Sequence, residues 1–273
     1  MTKHEFQQRI AEGPLILDGA TGSNLLKAGM PRGICSEKWI AEHPEPLIQL
    51  QKAYIEAGSH IVYAPTFLAN PISLGSHGLA HETRRLNHDL VRISKEAAAG
   101  KALVAGDIST TGKLMEPMGE MPYNILFEAY KEQISCLAEA GVDLLTAETM
   151  MAADETMVIL DAASEVCDLP VLCSLTIESD GSLFFGGNIY DALETLEAVI
   201  AGIRERVSIP VIAKPNAGMP KITETGEAVY SMGPEEFALH METLHKAGAS
   251  LLGGCCGTDP EYIRMLCKKL SSS

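Results

Sequence analysis

Two adjacent cysteines, Cys255 and Cys256, follow an apolar run and a glycine pair in Leu251-Leu252-Gly253-Gly254-Cys255-Cys256-Gly257-Thr258-Asp259-Pro260. Thr258 or Asp259 can cap a helix that starts there, Pro260 suits its first turn, and Glu261 stands three residues after Thr258. Two soft ligands therefore lie where a strand ends and a helix begins. Two thiolates can bind one zinc ion, and zinc makes a bound thiol nucleophilic at neutral pH by removing its proton. The plainer alternative is a pair of core cysteines, because free cysteine packs as a small apolar residue. The flanking glycines and the strand-to-helix setting weigh against it.

The elements that must position these thiols are legible as short apolar strands alternating with amphipathic helices. Strands are predicted at 15–20, 60–67, 102–109, 143–149, 170–177, 209–216 and 250–256, and helices at 45–57, 81–99, 126–140, 154–166, 191–207 and 234–247. The strands are apolar throughout, as parallel strands covered on both faces should be. Three of the helices close on an Ala-Gly step, Ala57-Gly58, Ala140-Gly141 and Ala247-Gly248, where glycine ends a helix at little cost. The repeat predicts an α/β fold, a (β/α)8 TIM-type barrel, in one domain over 1–273. Seven strands are found where eight are wanted, and between 170 and 209 only one helix is legible.

Active sites of such barrels sit at the C-terminal ends of the strands. Those ends carry Asp18, Thr66, Asp107, Glu148, Ser174, Thr176, Lys214 and Asn216, together with the two thiols. A carboxylate pair such as Asp18 and Glu148 suits an ammonium group, although either acid can instead cap a helix. Asn216 can hydrogen-bond a carboxylate or shape a turn with Gly218. Lys214 can form a Schiff base with a carbonyl substrate, or pair with a nearby acid, and the acid pairing is favoured. Asp18-Gly19-Ala20-Thr21-Gly22 lacks the lysine of a phosphate loop, so no nucleotide site is read there. Cys35, Cys136, Cys167 and Cys267 fall on loops or helices and read as structural.

Bulk properties narrow the function classes. With 46% hydrophobic and 21% charged residues the chain is an ordinary globular protein. A net charge of −15 without a basic patch argues against nucleic acid. No apolar run is long enough to cross a membrane, and residues 1–12 lack a secretory apolar core. The seven dispersed cysteines then read as reduced thiols in the cytoplasm.

Six motifs in order along the chain resemble the homocysteine S-methyltransferase family, and within it the homocysteine-binding barrel of cobalamin-dependent methionine synthases. They are Leu17-Asp18-Gly19-Ala20-Thr21-Gly22, Ala64-Pro65-Thr66-Phe67, Gly106-Asp107-Ile108, Ala147-Glu148-Thr149, Pro215-Asn216-Ala217-Gly218-Met219-Pro220 and the Gly253 to Pro260 segment. The resemblance implies methyl transfer to the thiol of L-homocysteine, giving methionine, with zinc held by three cysteines. Cys255 and Cys256 match two of those ligands. Asp18 and Glu148 match the acids that hold the substrate amino group, and Thr66 and Asn216 fall near amino-acid-binding positions. The methyl donor stays open among methylcobalamin on a partner protein, S-methylmethionine and betaine. The chain ends at Ser273, soon after the barrel, so a corrinoid protein acting in trans is expected as a partner. The rival readings are a Schiff-base lyase using Lys214 and a degenerate barrel that binds an amino acid without turnover.

One departure is large. The family's first zinc cysteine ends the sixth strand in a Gly-x-Asn-Cys motif that has no match here. Gly187-Asn188-Ile189 lies before the preceding helix, and Ala198 runs straight into Val199 where the strand should be. The missing strand and the missing ligand are one absence of roughly 20 residues. Either the natural chain retains a segment that is not represented here, or the deletion is real and the site has lost a ligand. The first is preferred, because deleting a barrel strand removes core on both of its sides. In the second case Cys173 on the fifth strand is the nearest spare thiol, poorly placed to reach a zinc ion near 2.3 Å.

Overall fold

The computed structural model describes residues 1–176, 210–223 and 228–272. Each of the seven predicted strands is present, somewhat shorter than expected. They are β1 (Leu15–Ile16), β2 (Ile61–Ala64), β3 (Leu103–Ile108), β4 (Leu144–Met150), β5 (Val171–Leu175), β6 (Val211–Ala213) and, after an exposed antiparallel hairpin of β7 (Lys221–Ile222) and β8 (Ala228–Val229), β9 (Ala249–Leu252). The strands other than the hairpin pair in parallel, in the orders β1-β9-β6 and β2-β3-β4-β5. This is the strand order of an α/β barrel; among the described residues β1, β2, β3, β4 and β9 are each followed by a helix, and β6 reaches its helix after the hairpin.

Side chains join the two sheets between β1 and β2. The His60 N–H donates to Ile16 O at 2.7 Å, and Ile16 N–H donates to His60 Nδ1 at 3.0 Å. Tyr63 N–H donates to Asp18 Oδ2 at 2.8 Å, and Ser59 Oγ to Leu17 O at 3.1 Å. A carboxylate and an imidazole thus take ladder positions that backbone would otherwise fill, which keeps buried amides satisfied. Between β5 and β6 lie residues 177–209, outside the described residues. The predicted helix at 191–207, the Gly187-Asn188-Ile189 segment and the Ala198–Val199 junction all fall there.

Phe6, Leu15, Leu17, Ile61, Tyr63, Ala105, Leu144, Leu172 and Leu251 form the inner core. They come from the strands and from an N-terminal helix, Lys3–Glu12, which lays Phe6 across the end of the barrel remote from the strand C-termini. No helix is predicted over these residues. The capping box is visible in hindsight, with Thr2 accepting from Glu5 N–H and Glu5 accepting from Thr2 N–H. Among the described residues, the helices predicted at 45–57, 81–99, 126–140, 154–166 and 234–247 are present within a few residues. Glu45–Ala57 ends at Gly58, whose φ of 117° and contact with Cys267, 2.5 Å from where a Cβ would stand, both require glycine.

Candidate active site

The loop after β9 is built so that two chain segments can meet. A Cβ on Gly253 would lie 2.7 Å from Leu17 Cβ, and one on Gly254 would lie 2.5 Å from Thr258 Oγ1. Glycine at both places lets Gly254 N–H donate to Asp18 O at 3.0 Å. Thr258 Oγ1 then accepts from Ala20 N–H at 3.1 Å and donates to Cys255 O at 2.7 Å. Asp259, not Thr258, caps the helix Pro260–Leu270, through Glu261 N–H at 2.9 Å. The helix start is therefore as predicted, while Thr258 ties the Asp18 loop to the cysteine loop.

Cys255 and Cys256 lie at the cavity mouth with their sulfurs 4.0 Å apart. Asn216 Oδ1 accepts from Cys256 N–H at 3.0 Å, and Pro215 O accepts from Cys255 N–H at 2.8 Å. Hydrogen bonds from Cys255 and Tyr230 hold the Cys256 thiol down at about 6, against the effect of burial. The bond with Cys256, and then burial, push Cys255 up.

The same cavity holds a cluster of charge. Lys214, just after β6, has a side chain only 8% exposed. Its Nζ donates to Glu148 Oε1, lies 3.5 Å from Asp18 Oδ1 and sits 4.0 Å from the centre of the Tyr63 ring. A register shift between Ala147 and Met150 in the β4–β5 pairing accompanies the turn of Glu148. Thr149 takes a φ of 59° there, and its N–H donates to Ser174 Oγ at 3.1 Å. Such backbone strain costs about 1 kcal/mol or more and is kept at sites where a side chain must be aimed. Burial raises Asp18 to about 6, opposed by Lys214 and by the Tyr63 N–H. Burial acts to lower Lys214, but Glu148 and Asp18 outweigh it and hold the lysine well above its usual range. Burial, and then the charge on Glu148, push Asp107 well above the ordinary aspartate range.

These groups share the wall of one cavity of about 1800 Å3, which includes Asp18, Glu148, Lys214, Asn216, Cys255 and Cys256. Thr66 stands apart. It is fully buried, and its hydroxyl donates to Asp107 O at 2.8 Å and accepts from Asp107 N–H at 3.0 Å, fastening β2 to β3 behind the cavity wall. Tyr63 and Tyr230 were missed by the sequence reading. Tyr63 precedes the Ala64-Pro65-Thr66-Phe67 motif by one residue, and its aromatic ring inside an aliphatic strand was the available signal. The ion pairs of Lys214 argue against the Schiff-base reading, because a nucleophilic lysine must be neutral and this one is held protonated.

Two zinc–sulfur bonds of about 2.3 Å at a tetrahedral angle place sulfurs about 3.8 Å apart, close to the spacing found here. The cysteine pair therefore fits two positions around one zinc ion. Among the described residues no third Cys, His, Asp or Glu joins them in a metal-sized group, Cys173 included. Residues 177–209 contain neither cysteine nor histidine, so the family's third thiolate has no counterpart there.

The model of the homocysteine S-methyltransferase family matches this chain over residues 15–199 and again over 180–270. The first match ends at the junction where the sequence breaks the family pattern. Methionine synthase of Mycobacterium leprae is 26% identical over 297 aligned positions, and that of Mycobacterium tuberculosis 27% over 296. Each alignment covers 95% of this chain and is longer than its 273 residues, so the relatives carry residues that this chain lacks. The chain spans 24% of the length of these relatives. In fold it is similar to the homocysteine methyltransferase MmuM of Escherichia coli. The TM-scores are 0.77 for the oxidized form and 0.76 for the metallated form, at 20% identity, covering 94% of this chain and 96% of that one. Matched by its model across both halves of the barrel, the chain belongs to the homocysteine S-methyltransferase family.

Proposed function

We propose that this chain binds L-homocysteine and accepts a methyl group on its sulfur, releasing methionine. The observation that carries this reading is the placement of a buried acid pair and a thiol pair on one cavity wall. The acids, Asp18 and Glu148, match the chemistry of an α-ammonium group, and Cys255 and Cys256 match that of a metal which binds a substrate thiol. Asn216 supports the thiol pair by holding Cys256 N–H, and Thr66 fixes the backbone of Asp107 behind the cavity wall.

In the transfer, the substrate sulfur forms a bond to the methyl carbon as the bond from that carbon to the donor breaks. The thiol proton is lost to solvent. A bound zinc supplies a substrate thiol that is deprotonated at neutral pH. The acid pair fixes the amino acid backbone, so that the sulfur meets the methyl carbon in line rather than by diffusion. The methyl donor is a methylated corrinoid, S-methylmethionine or betaine, and the likeness to methionine synthases favours the corrinoid. No helix among the described residues is long and apolar enough to cross a membrane. Free thiols throughout the chain support a reducing, cytoplasmic setting.

The test is methionine formation, read by mass spectrometry, from homocysteine and each donor in turn, before and after chelation of zinc. Product from one donor that disappears on chelation is expected. Homocysteine binding without product from any donor would instead make the chain a binding barrel that has lost turnover.

A further inference from the structure

The acid pair already has a cation in it. Two carboxylates and the face of an aromatic ring form a cage for one ammonium group, by charge, hydrogen bonding and the ring quadrupole. All three walls, Asp18, Glu148 and Tyr63, lie within 4.0 Å of Lys214 Nζ or its hydrogen-bonding reach. We propose that Lys214 is the resident of the amino seat when substrate is absent, and that the ammonium group of an aminothiol substrate enters by displacing it. This rests on the reading of the cavity as an aminothiol site.

Three features support exchange over simultaneous occupancy. A second ammonium on the same ring face would stand against a like charge in a buried, poorly screened place. The resident also fits imperfectly. Asp18 Oδ1 is buried without a hydrogen bond, because Lys214 Nζ reaches it only at 3.5 Å while bound to Glu148. An ammonium on a small ligand carries three donors and is free to approach both carboxylates, whereas Nζ is tethered to the backbone after β6. Finally, lysine's flexible four-carbon stem lets it leave by side-chain rotation alone. Asp18 and Glu148 are held in the meantime by Tyr63 N–H and by the β4 turn.

A site occupied by its own side chain binds ligand more weakly by the fraction of time that the seat is empty. Lys214→Met keeps the stem and removes the charge. The variant and the wild-type protein would be titrated calorimetrically with homocysteine, with 3-aminopropane-1-thiol, which lacks the carboxylate, and with 4-mercaptobutanoate, which lacks the amine. Lys214→Met is expected to tighten 3-aminopropane-1-thiol by about tenfold or more and not to tighten 4-mercaptobutanoate. No gain for the aminothiol, or an equal gain for both, overturns the proposal. If the aminothiol behaves as expected and homocysteine binds neither protein, the exchange stands and the homocysteine reading fails. A measurement on the wild-type protein guards against a misfolded variant. The buried, ion-paired Nζ–H3 group of Lys214 should give a slowly exchanging 15N-lysine signal that vanishes when 3-aminopropane-1-thiol saturates the site. A signal that persists in the bound protein also overturns the proposal.

Discussion

The acid cage and the thiol pair sit on one cavity wall and are built in opposite ways. The cage draws on β1, β2, β4 and the segment after β6, its charged groups are almost wholly buried, and it carries its own counter-ion in Lys214. The thiols come from one loop, Cys256 is exposed, and nothing among the described residues completes their coordination. Buried charge is tolerated only when it is paired, so the cage has to be finished before the protein can fold around it. A group at the mouth can wait for a ligand, because water serves it in the meantime. Folding energy has shaped one half of the site, and ligand binding must finish the other.

The sharpest way to break this contrast is Cys256→Ser. It should remove bound zinc and lower turnover by more than about a hundredfold, since losing a mere supporting partner already costs about 10–100-fold. With both proteins freed of metal, its unfolding free energy should stay within about 0.5 kcal/mol of wild type, as expected for an exposed position. Metal analysis, turnover and urea denaturation read the two effects separately, and a large stability loss would show that the mouth is structural after all. Glu148→Gln tests the other half. It should weaken homocysteine binding by about 10–100-fold, the value of a hydrogen bond to a charged group, and should also lower stability by leaving Lys214 one charged partner. Calorimetry showing weaker binding with unchanged stability would mean that the cage is not part of the folding unit.

Gly254→Ala joins the halves, because the new Cβ would meet Thr258 Oγ1 at 2.5 Å. A loss of about 1–3 kcal/mol is expected in denaturant unfolding, together with weaker zinc binding. The smallest effect belongs to Asp107→Asn. Asp107 has a raised folded-state pKa, so the folded protein holds a proton that the unfolded chain releases above about 4. The contribution of this group to stability is therefore greatest in acid and declines as pH rises toward the folded-state value. Asparagine mimics the protonated form and lacks that slope. The variant should lie within about 1 kcal/mol of wild type at neutral pH, and its relative stability should rise with pH from 4 upward. A relative stability that falls over that range would mean that Asp107 is ionised in the folded protein.

Much of this was readable without coordinates. The strands from β1 to β6 and β9 announce themselves by apolar runs ended by glycine or polar residues, and the helix ends by Gly58, Gly141 and Gly248, each with positive φ. The positions gathered around the cavity were legible because barrels deliver strand C-termini to one rim, so Asp18, Glu148, Lys214 and the two cysteines could be nominated from strand register alone. Thr66 was nominated by the same rule, yet its hydroxyl is spent on Asp107, because rim position does not say which way a side chain is used. The N-terminal helix escaped because its burial rests on Phe6 alone, too little for a periodic pattern.

What the sequence determined by itself is the alternation of elements, the family motifs and the lack of a third family cysteine, all properties of residue order. Tertiary structure decided which charges meet. Asp18 and Glu148 are 130 positions apart and Lys214 a further 66, and no local pattern relates them. Their meeting follows from closing the strands side by side, which brings distant side chains into one poorly screened space where unpaired charge is costly. That space made Lys214 the partner of both acids, a role its place in the sequence could only leave open.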